Sequence, residues 1–288
     1  MERIVVAGTA SQTLAKRLAD ELDCPLADTD IRRFPDLEVY ARIKSDVEGK
    51  HVILVQTTAP NENLIELLLL QDAAQGHHAA KVTSVIPYYG YARQDQVFHP
   101  GEAVSSRAVA RALATTADSV ITIDPHKEHI LDFFFDGAHS VSAVPQLAEE
   151  LGRWGVDAIL APDKGARDRA QRAAQQLGVP FDHLEKTRLS ATEVVMKAKD
   201  MDVAGKKVAI VDDMIASGGT MIKAAAQLKE QGATAVFAAC THGIFTGDAV
   251  PKLLAGGIDR VLCTDTVEAQ GCDVVSAAKA VASVLNKS

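Results

Sequence analysis

The chain has 288 residues, 47% hydrophobic and 24% charged, an ordinary globular composition with room for two domains of about 150 residues. Its formal net charge of −8, with lysines and arginines scattered rather than clustered, excludes broad electrostatic binding to nucleic acid. The predicted elements then alternate strand and helix. RIVVAG (3–8) is a short β-branched run, and SQTLAKRLADEL (11–22) has leucines at 14, 18 and 22, which predicts a helix with Ser11 as its cap. HVILVQT (51–57) reads as a strand and NENLIELLLLQDAAQ (61–75) as a helix with Asn61 near its cap. KVTSVIPYY (81–89) and SVITID (119–124) read as strands, with a helix over 102–114 between them. The second half repeats the scheme: strand 158–163, a helix that Gly178 can end, strand KKVAIVDD (206–213), helix 218–231 ended by Gly232, then strands AVFAACTH (235–242) and RVLCTD (260–265). Continuous apolar strands predict mainly parallel sheets covered on both faces by helices. The expectation is an α/β protein with domains 1–140 and 141–288, joined near 137–145 where Gly137 and Pro145 punctuate the chain.

The cysteines at 24, 240, 263 and 272 show no CxxC pair and no zinc-type spacing, and read as small buried thiols. No leader is visible, because Met1-Glu2-Arg3 runs straight into a strand. The most apolar segment, LIELLLL (64–70), is interrupted by Glu66 and too short to span a membrane. A cytoplasmic protein without a membrane partner is expected.

One stretch carries most of the chemistry. In VAIVDDMIASGGTM (208–221) an apolar strand delivers Asp212 and Asp213 to a sheet edge, and Ala216, Ser217, Gly218, Gly219 and Thr220 then open a helix. Backbone N–H groups at a helix N-terminus form an anion site, and the glycines let a ligand approach the backbone. Phosphate alone would be repelled by the aspartates. A phosphosugar meets both features, with its phosphate on the loop and its hydroxyls donating to the carboxylates. A capped helix with acidic residues at its positive end would also account for the pattern.

Other segments are weaker when read alone. RRFPDLEVYARI (32–43) places Phe34, Asp36 and Glu38 on alternate positions, so an extended segment would aim all three to one side, suited to a purine and its amino group. The same residues fit an acidic surface hairpin. In IPYYGYARQDQVF (86–98), Arg93 can pair with phosphates and Gln94 and Asp95 are its polar neighbours, while the three tyrosines can simply pack. ITIDPHKEH (121–129) puts His126 just past a strand's carboxyl end, and APDKGA does the same for Asp163, a candidate metal pair. His99, His129 and His139 lack such a context and read as surface or structural. In HLEKTRLS (183–190), Lys186 and Arg188 project the same way from an extended arm, or form a solvated basic pair.

The strand-loop motif at 208–220 resembles the ribose-phosphate motif of phosphoribosyltransferases and ribose-phosphate pyrophosphokinases. With the FPD-x-E, Tyr-Ala-Arg-Gln-Asp, D-x-H, Pro-Asp-x-Gly and Lys-x-Arg segments in order, the whole chain resembles the pyrophosphokinase family, in its short archaeal form. The resemblance implies two phosphoribosyltransferase-type α/β domains and transfer of the diphosphoryl group of ATP to the 1-hydroxyl of ribose 5-phosphate. It implies ATP contacts at Phe34, Asp36, Glu38, Arg93, Gln94 and Asp95. It also implies magnesium near His126 and Asp163, catalysis by Lys186 and Arg188 on a mobile arm, and a ribose 5-phosphate pocket from Asp212, Asp213 and 216–220. A homo-oligomer follows, since in the family the 34–38 loop reaches a neighbouring subunit's ATP. The chain departs from the family at Leu37, where Gly is frequent, and at Gln96, Thr187, Ala216 and Ser217. The alternatives are a phosphoribosyltransferase, or a regulatory homologue without catalysis.

Overall fold

Buried β-branched runs build the first sheet. β1 (Arg3–Ala7) is followed by α1 (Gln12–Glu21), which buries Leu14, Ala15, Leu18 and Ala19 along one stripe. β2 (Thr29–Arg33) and β3 (Val39–Ile43) form a separate antiparallel hairpin. β4 (His51–Val55) is buried at all five positions, and α2 (Asn61–Gly76) and β5 (Lys81–Ile86) follow it. Next come α3 (Ser105–Leu113), β6 (Ser119–Ile123), a 3-10 turn at Glu128–Phe133, and β7 (Ala138–Val141). The strands lie in the order β1-β4-β5-β6-β7, all parallel, as the continuous apolar runs predict.

The second sheet begins after α4 (Val144–Arg153). It takes β8 (Ala158–Ala161), α5 (Arg167–Leu177), β9 (Phe181–Arg188), β10 (Val194–Ala198), β11 (Lys207–Ile215), α6 (Gly219–Glu230), β12 (Ala235–Gly243), α7 (Ala249–Ala255), β13 (Arg260–Thr264) and β14 (Asp273–Val275). The order is β10-β9-β8-β11-β12-β13-β14, parallel except for β9 with β10. Gly178, in the left-handed region at φ 68°, ends α5 as expected. The computed structural model describes residues 1–134, 137–188, 194–198 and 201–287, with side chains described outside 185–198.

Contacts divide the chain into two compact units: residues 1–142 with 266–268 and 276–288, and residues 143–265 with 269–275. The expected break at 140/141 thus lies two residues early, and the closing helix α8 (Ala278–Leu285), expected with the second half, belongs to the first. Arg3 explains part of this return, since its guanidinium donates to Asn286 Oδ1 and to the Leu285 carbonyl.

Two expected caps are not made. Ser11 Oγ accepts from Thr57 N across to the end of β4 instead of capping α1. Asn61 is preceded by Pro60, which holds the N-cap position of α2 without a side-chain cap bond, and Asn61 Oδ1 instead accepts from the Tyr91 hydroxyl.

Both sheets reverse strand order once. In the second unit β8 leads through α5 to one side and β11 through α6 to the other, so the reversal lies between β8 and β11. In the first unit residues 25–27 bond beside β1, through Val5 N to the Pro25 carbonyl and Ala27 N to the Val5 carbonyl, so the reversal lies between β1 and β4. Ligands in parallel sheets sit beyond the carboxyl ends at such points. In the first unit that place is filled by the protein itself. Buried Glu66 accepts from Thr9 N, Thr9 Oγ1 and Gln56 Nε2, and a Cβ on Gly8 would run into the Gln56 side chain.

Candidate active site

The second unit's reversal point is where the acidic residues converge. β8 ends at Ala161, and Asp163 follows exposed at its carboxyl end, with Oδ1 accepting from Gly165 N at 2.8 Å and Ala166 N at 3.2 Å. These bonds fold the loop ahead of α5 around Asp163 and fix the carboxylate. β11 pairs with β8 only over Val208–Ile210, but with β12 as far as Ile215–Gly243. The strand therefore runs two residues past Asp213, where the sequence reading ended it. Asp212 and Asp213 lie within β11, on a stretch that β8 leaves uncovered, because β12 keeps supplying backbone partners after the hydrophobic pattern ends.

The electrostatics of the pair are marked. Asp213 is buried and Asp212 half-buried, and Asp213 N donates to Asp212 Oδ1 at 2.8 Å. Burial, then the charge of Asp213, pushes the Asp212 carboxyl up to about 8, and the Asp163 charge adds to the rise. Arg169, on the first turns of α5, holds Nη2 4.0 Å from Asp213 Oδ2, with both side chains largely buried. Arg169 was missed in the sequence. The available signal was its position six residues beyond Asp163, where the helix after a strand end turns a side chain back over the sheet edge.

The turn after β11 is built for close approach. Ala216 is tied by Thr246 N to its carbonyl, and Gly218 precedes α6 at φ 77°. A Cβ at Gly218 would meet Leu253 at 2.9 Å, so both conformation and space require glycine there. Gly219 starts α6, and Ser217 and Thr220 are exposed beside it. Asp163, Asp212, Asp213 and the 216–220 turn are thus all placed at the carboxyl ends of two neighbouring strands.

In the first unit the candidates gather at the ends of β5 and β6. Arg93 is exposed, and Gln94 Nε2 donates to the Gln96 carbonyl and, at 3.3 Å, to Glu102. Asp95 Oδ2 lies 3.2 Å from His129 Nε2. His129, read as surface or structural, is exposed, and it joins the candidate set through a partner that spacing alone could not pair with it. His126 is half-buried just past β6. His126 and Asp163, expected as a pair, belong to different units. Among the described residues there is no group of three or more His, Cys, Asp or Glu side chains placed to hold a metal ion.

Of the two readings of residues 34–38, an extended segment or a surface hairpin, the structure has the hairpin. These residues form the turn of the β2–β3 hairpin, with Phe34 N donating to the Glu38 carbonyl, Leu37 N to the Phe34 carbonyl, and Glu38 N to Asp36 Oδ1. Pro35 and the local Asp36 bond favour a turn over a strand. Leu37 sits at φ 74°, the region the family's frequent glycine would occupy without strain. Phe34 and Leu37 are exposed at this tip. Lys186 and Arg188 lie on β9, opposite Met196 and Val194 of β10, and their side chains are outside the described residues.

The chain matches two family models, the N-terminal domain of ribose phosphate pyrophosphokinase over residues 3–116 and the phosphoribosyl transferase domain over 139–254. It is 44% identical to the ribose-phosphate pyrophosphokinase of Methanopyrus kandleri, covering 92% of each chain. It is 38% identical to that of Methanothermobacter thermautotrophicus, over 98% of this chain and 99% of the relative. Its structure is similar to that of the phosphoribosylpyrophosphate synthetase of Mycobacterium smegmatis, with TM-score 0.86 and 31% identity over 99% of this chain and 98% of that one. No described helix is long and apolar enough to cross a membrane.

Proposed function

The chain belongs to the ribose-phosphate pyrophosphokinase family, and we propose from that premise how its residues share the transfer of the diphosphoryl group from ATP to the 1-hydroxyl of ribose 5-phosphate, releasing AMP. The observation that carries the sugar half is the carboxylate pair of β11 beside the glycine turn that opens α6. The turn at 216–220 takes the 5-phosphate on backbone N–H groups, while Asp212 and Asp213 accept from the ribose hydroxyls. Arg169 lies against Asp213 and holds its side chain in place. A phosphate and a carboxylate pair then address opposite ends of one molecule without meeting.

The first unit takes ATP. Arg93 pairs with phosphate oxygens, and Gln94 and Asp95, the latter steadied by His129, hold the nucleotide beside them. Phe34, Asp36 and Glu38, exposed on their hairpin, serve the adenine of a second copy of the chain, which makes the working form a homo-oligomer. Diphosphoryl transfer depends on in-line placement and on neutralising charge on the phosphoryl oxygens. Lys186 and Arg188 supply fixed positive charge to the group in transit.

Magnesium suits the donors at hand. It prefers oxygen ligands and keeps several waters and substrate phosphates, so one exposed carboxylate such as Asp163 suffices without a protein cage. The imidazole of His126, in the first unit, is a softer donor, better suited to hydrogen-bond a phosphate oxygen. When bound, the ion neutralises phosphate charge. The test is AMP formation from ATP with and without ribose 5-phosphate. AMP released only when the sugar is present, with 5-phosphoribosyl 1-diphosphate in equal amount, is expected. ATP turnover independent of the sugar would refute the assignment.

A further inference from the structure

Two of the chain's free cysteines touch. Cys263 Sγ lies 3.6 Å from Cys272 Sγ. Cys263 is buried at the end of β13, and Cys272 is half-buried in the turn that leads into β14. Gly271, at φ 75°, supplies the left-handed residue that turns Cys272 back over β13. β14 has three residues and is the edge strand of its sheet. One thiol within reach of solvent, in contact with a second closed off from it, is the arrangement of an attacking and a resolving cysteine.

We propose that Cys263 and Cys272 form a reversible dithiol–disulfide site whose substrate is a small-molecule disulfide, and whose oxidation staples the edge strand β14 to β13. In the first step the Cys272 thiolate attacks one sulfur of RSSR, forming a Cys272–S–S–R bond and expelling RS⁻. In the second, Cys263 attacks Cys272 Sγ, forming the Cys263–Cys272 bond and expelling the second RS⁻, which takes the Cys263 proton as it leaves. The two protons lost by the cysteines leave with two RSH. The protein is oxidised by two electrons and RSSR is reduced by two.

The order of attack follows from the surroundings. Cys272 is half-buried and within reach of a reagent, while Cys263 is fully buried, and its contact with Cys272 together with burial pushes its thiol up. Burial pushes Cys240 well above its usual range and closes it to reagents. Cys272 therefore reacts first and Cys263 resolves.

The full chain is equilibrated in buffers of reduced and oxidised glutathione, alkylated and cut with trypsin. Both cysteines fall in one peptide, 261–279, because no lysine or arginine lies between Arg260 and Lys279. The expected result is a peptide lighter by two hydrogens and without alkyl groups, appearing in one transition and reversed by reduced glutathione. The oxidised protein is expected to melt on the order of 5 °C higher, since a short loop closes. A Cys24→Ser/Cys240→Ser variant should behave in the same way. A peptide still reduced in fully oxidised glutathione, a persistent glutathione adduct on Cys272, or a disulfide to Cys24 or Cys240 would overturn the proposal. An unchanged melting temperature of the oxidised chain would overturn the stapling.

Discussion

At the scale of single residues, burial and the neighbouring charge of Asp213 raise Asp212 to about 8, while its unfolded value lies near 3.8. The unfolded chain therefore releases this proton at lower pH than the folded one, so the stability Asp212 confers is complete below about pH 4 and is lost as pH rises through 8. His51 has the opposite sign. Burial beside Lys81 and Arg3 lowers it to about 4, so its contribution is present above 6.5 and lost as pH falls toward 4. Asp212→Asn isolates the first effect. The variant should match the parent near pH 4 and gain roughly 1–3 kcal/mol by pH 8, read by thermal melting across pH. Its KM for ribose 5-phosphate should rise about tenfold, the usual exchange of stability against function. Equal melting at pH 8 would count against the raised value. Arg169→Met leaves Asp213 without its guanidinium, and the expected result is a KM for ribose 5-phosphate about tenfold higher with KM for ATP unchanged. Arg169→Lys should recover part of the loss. A rise in both KM values would point to general disruption of the fold. Leu37 is 76% exposed at φ 74°, so Leu37→Gly removes strain without removing packing. A gain of about 0.5–1 kcal/mol in chemical denaturation is expected, and a loss would show that Leu37 makes a contact in an assembly.

At the scale of elements, the turn from β11 into α6 is held by shape as much as by sequence. Gly218→Ala combines a left-handed φ with a contact to Leu253 at 2.9 Å, so it should lower stability by about 1–3 kcal/mol. It should also weaken ribose 5-phosphate binding, because the shifted turn misplaces its N–H groups. Calorimetric titration with ribose 5-phosphate checks this, and unchanged affinity would remove the turn from the phosphate site. The same elements show what patterning reveals. β4, β8 and the start of β11 were legible because both faces of a central parallel strand are buried and read as unbroken apolar runs. β2, β3 and β14 were not, because edge or isolated strands carry polar residues on at least one face. The end of β11 was placed two residues early for a related reason: the acidic pair looks like a strand end, yet β12 still pairs with Met214 and Ile215. Local motifs put Asp212, Asp213 and the glycine turn together and set Asp163 at a strand's carboxyl end, but that Asp163 joins them depends on β8 lying beside β11. Partners from separate elements, Arg169 on Asp213 and His129 on Asp95, depend on tertiary placement that no spacing rule reports.

At the scale of the molecule, the chain's end stabilises its beginning. α8 buries Ala278, Ala280, Val281, Ala282 and Leu285, and it packs on α1 and against β7, within the first unit. The Arg3 guanidinium ties the two ends through Asn286 and the Leu285 carbonyl. An ending at Val275 would strip this cover from α1, exposing apolar side chains that cost about 1.5–3 kcal/mol each when left in water. Residues 143–265, with their own buried cluster around Leu160, Val208, Ile210 and Leu228, keep their core. Truncation after Val275 is therefore expected to act on one unit. Amide exchange should quicken in α1 and β7 and stay slow in β11 and α6. ATP binding should fall while ribose 5-phosphate binding survives, since the sugar residues lie wholly in the second unit. Uniform loss of protection across both sheets would instead mean that the two units fold as one cooperative body.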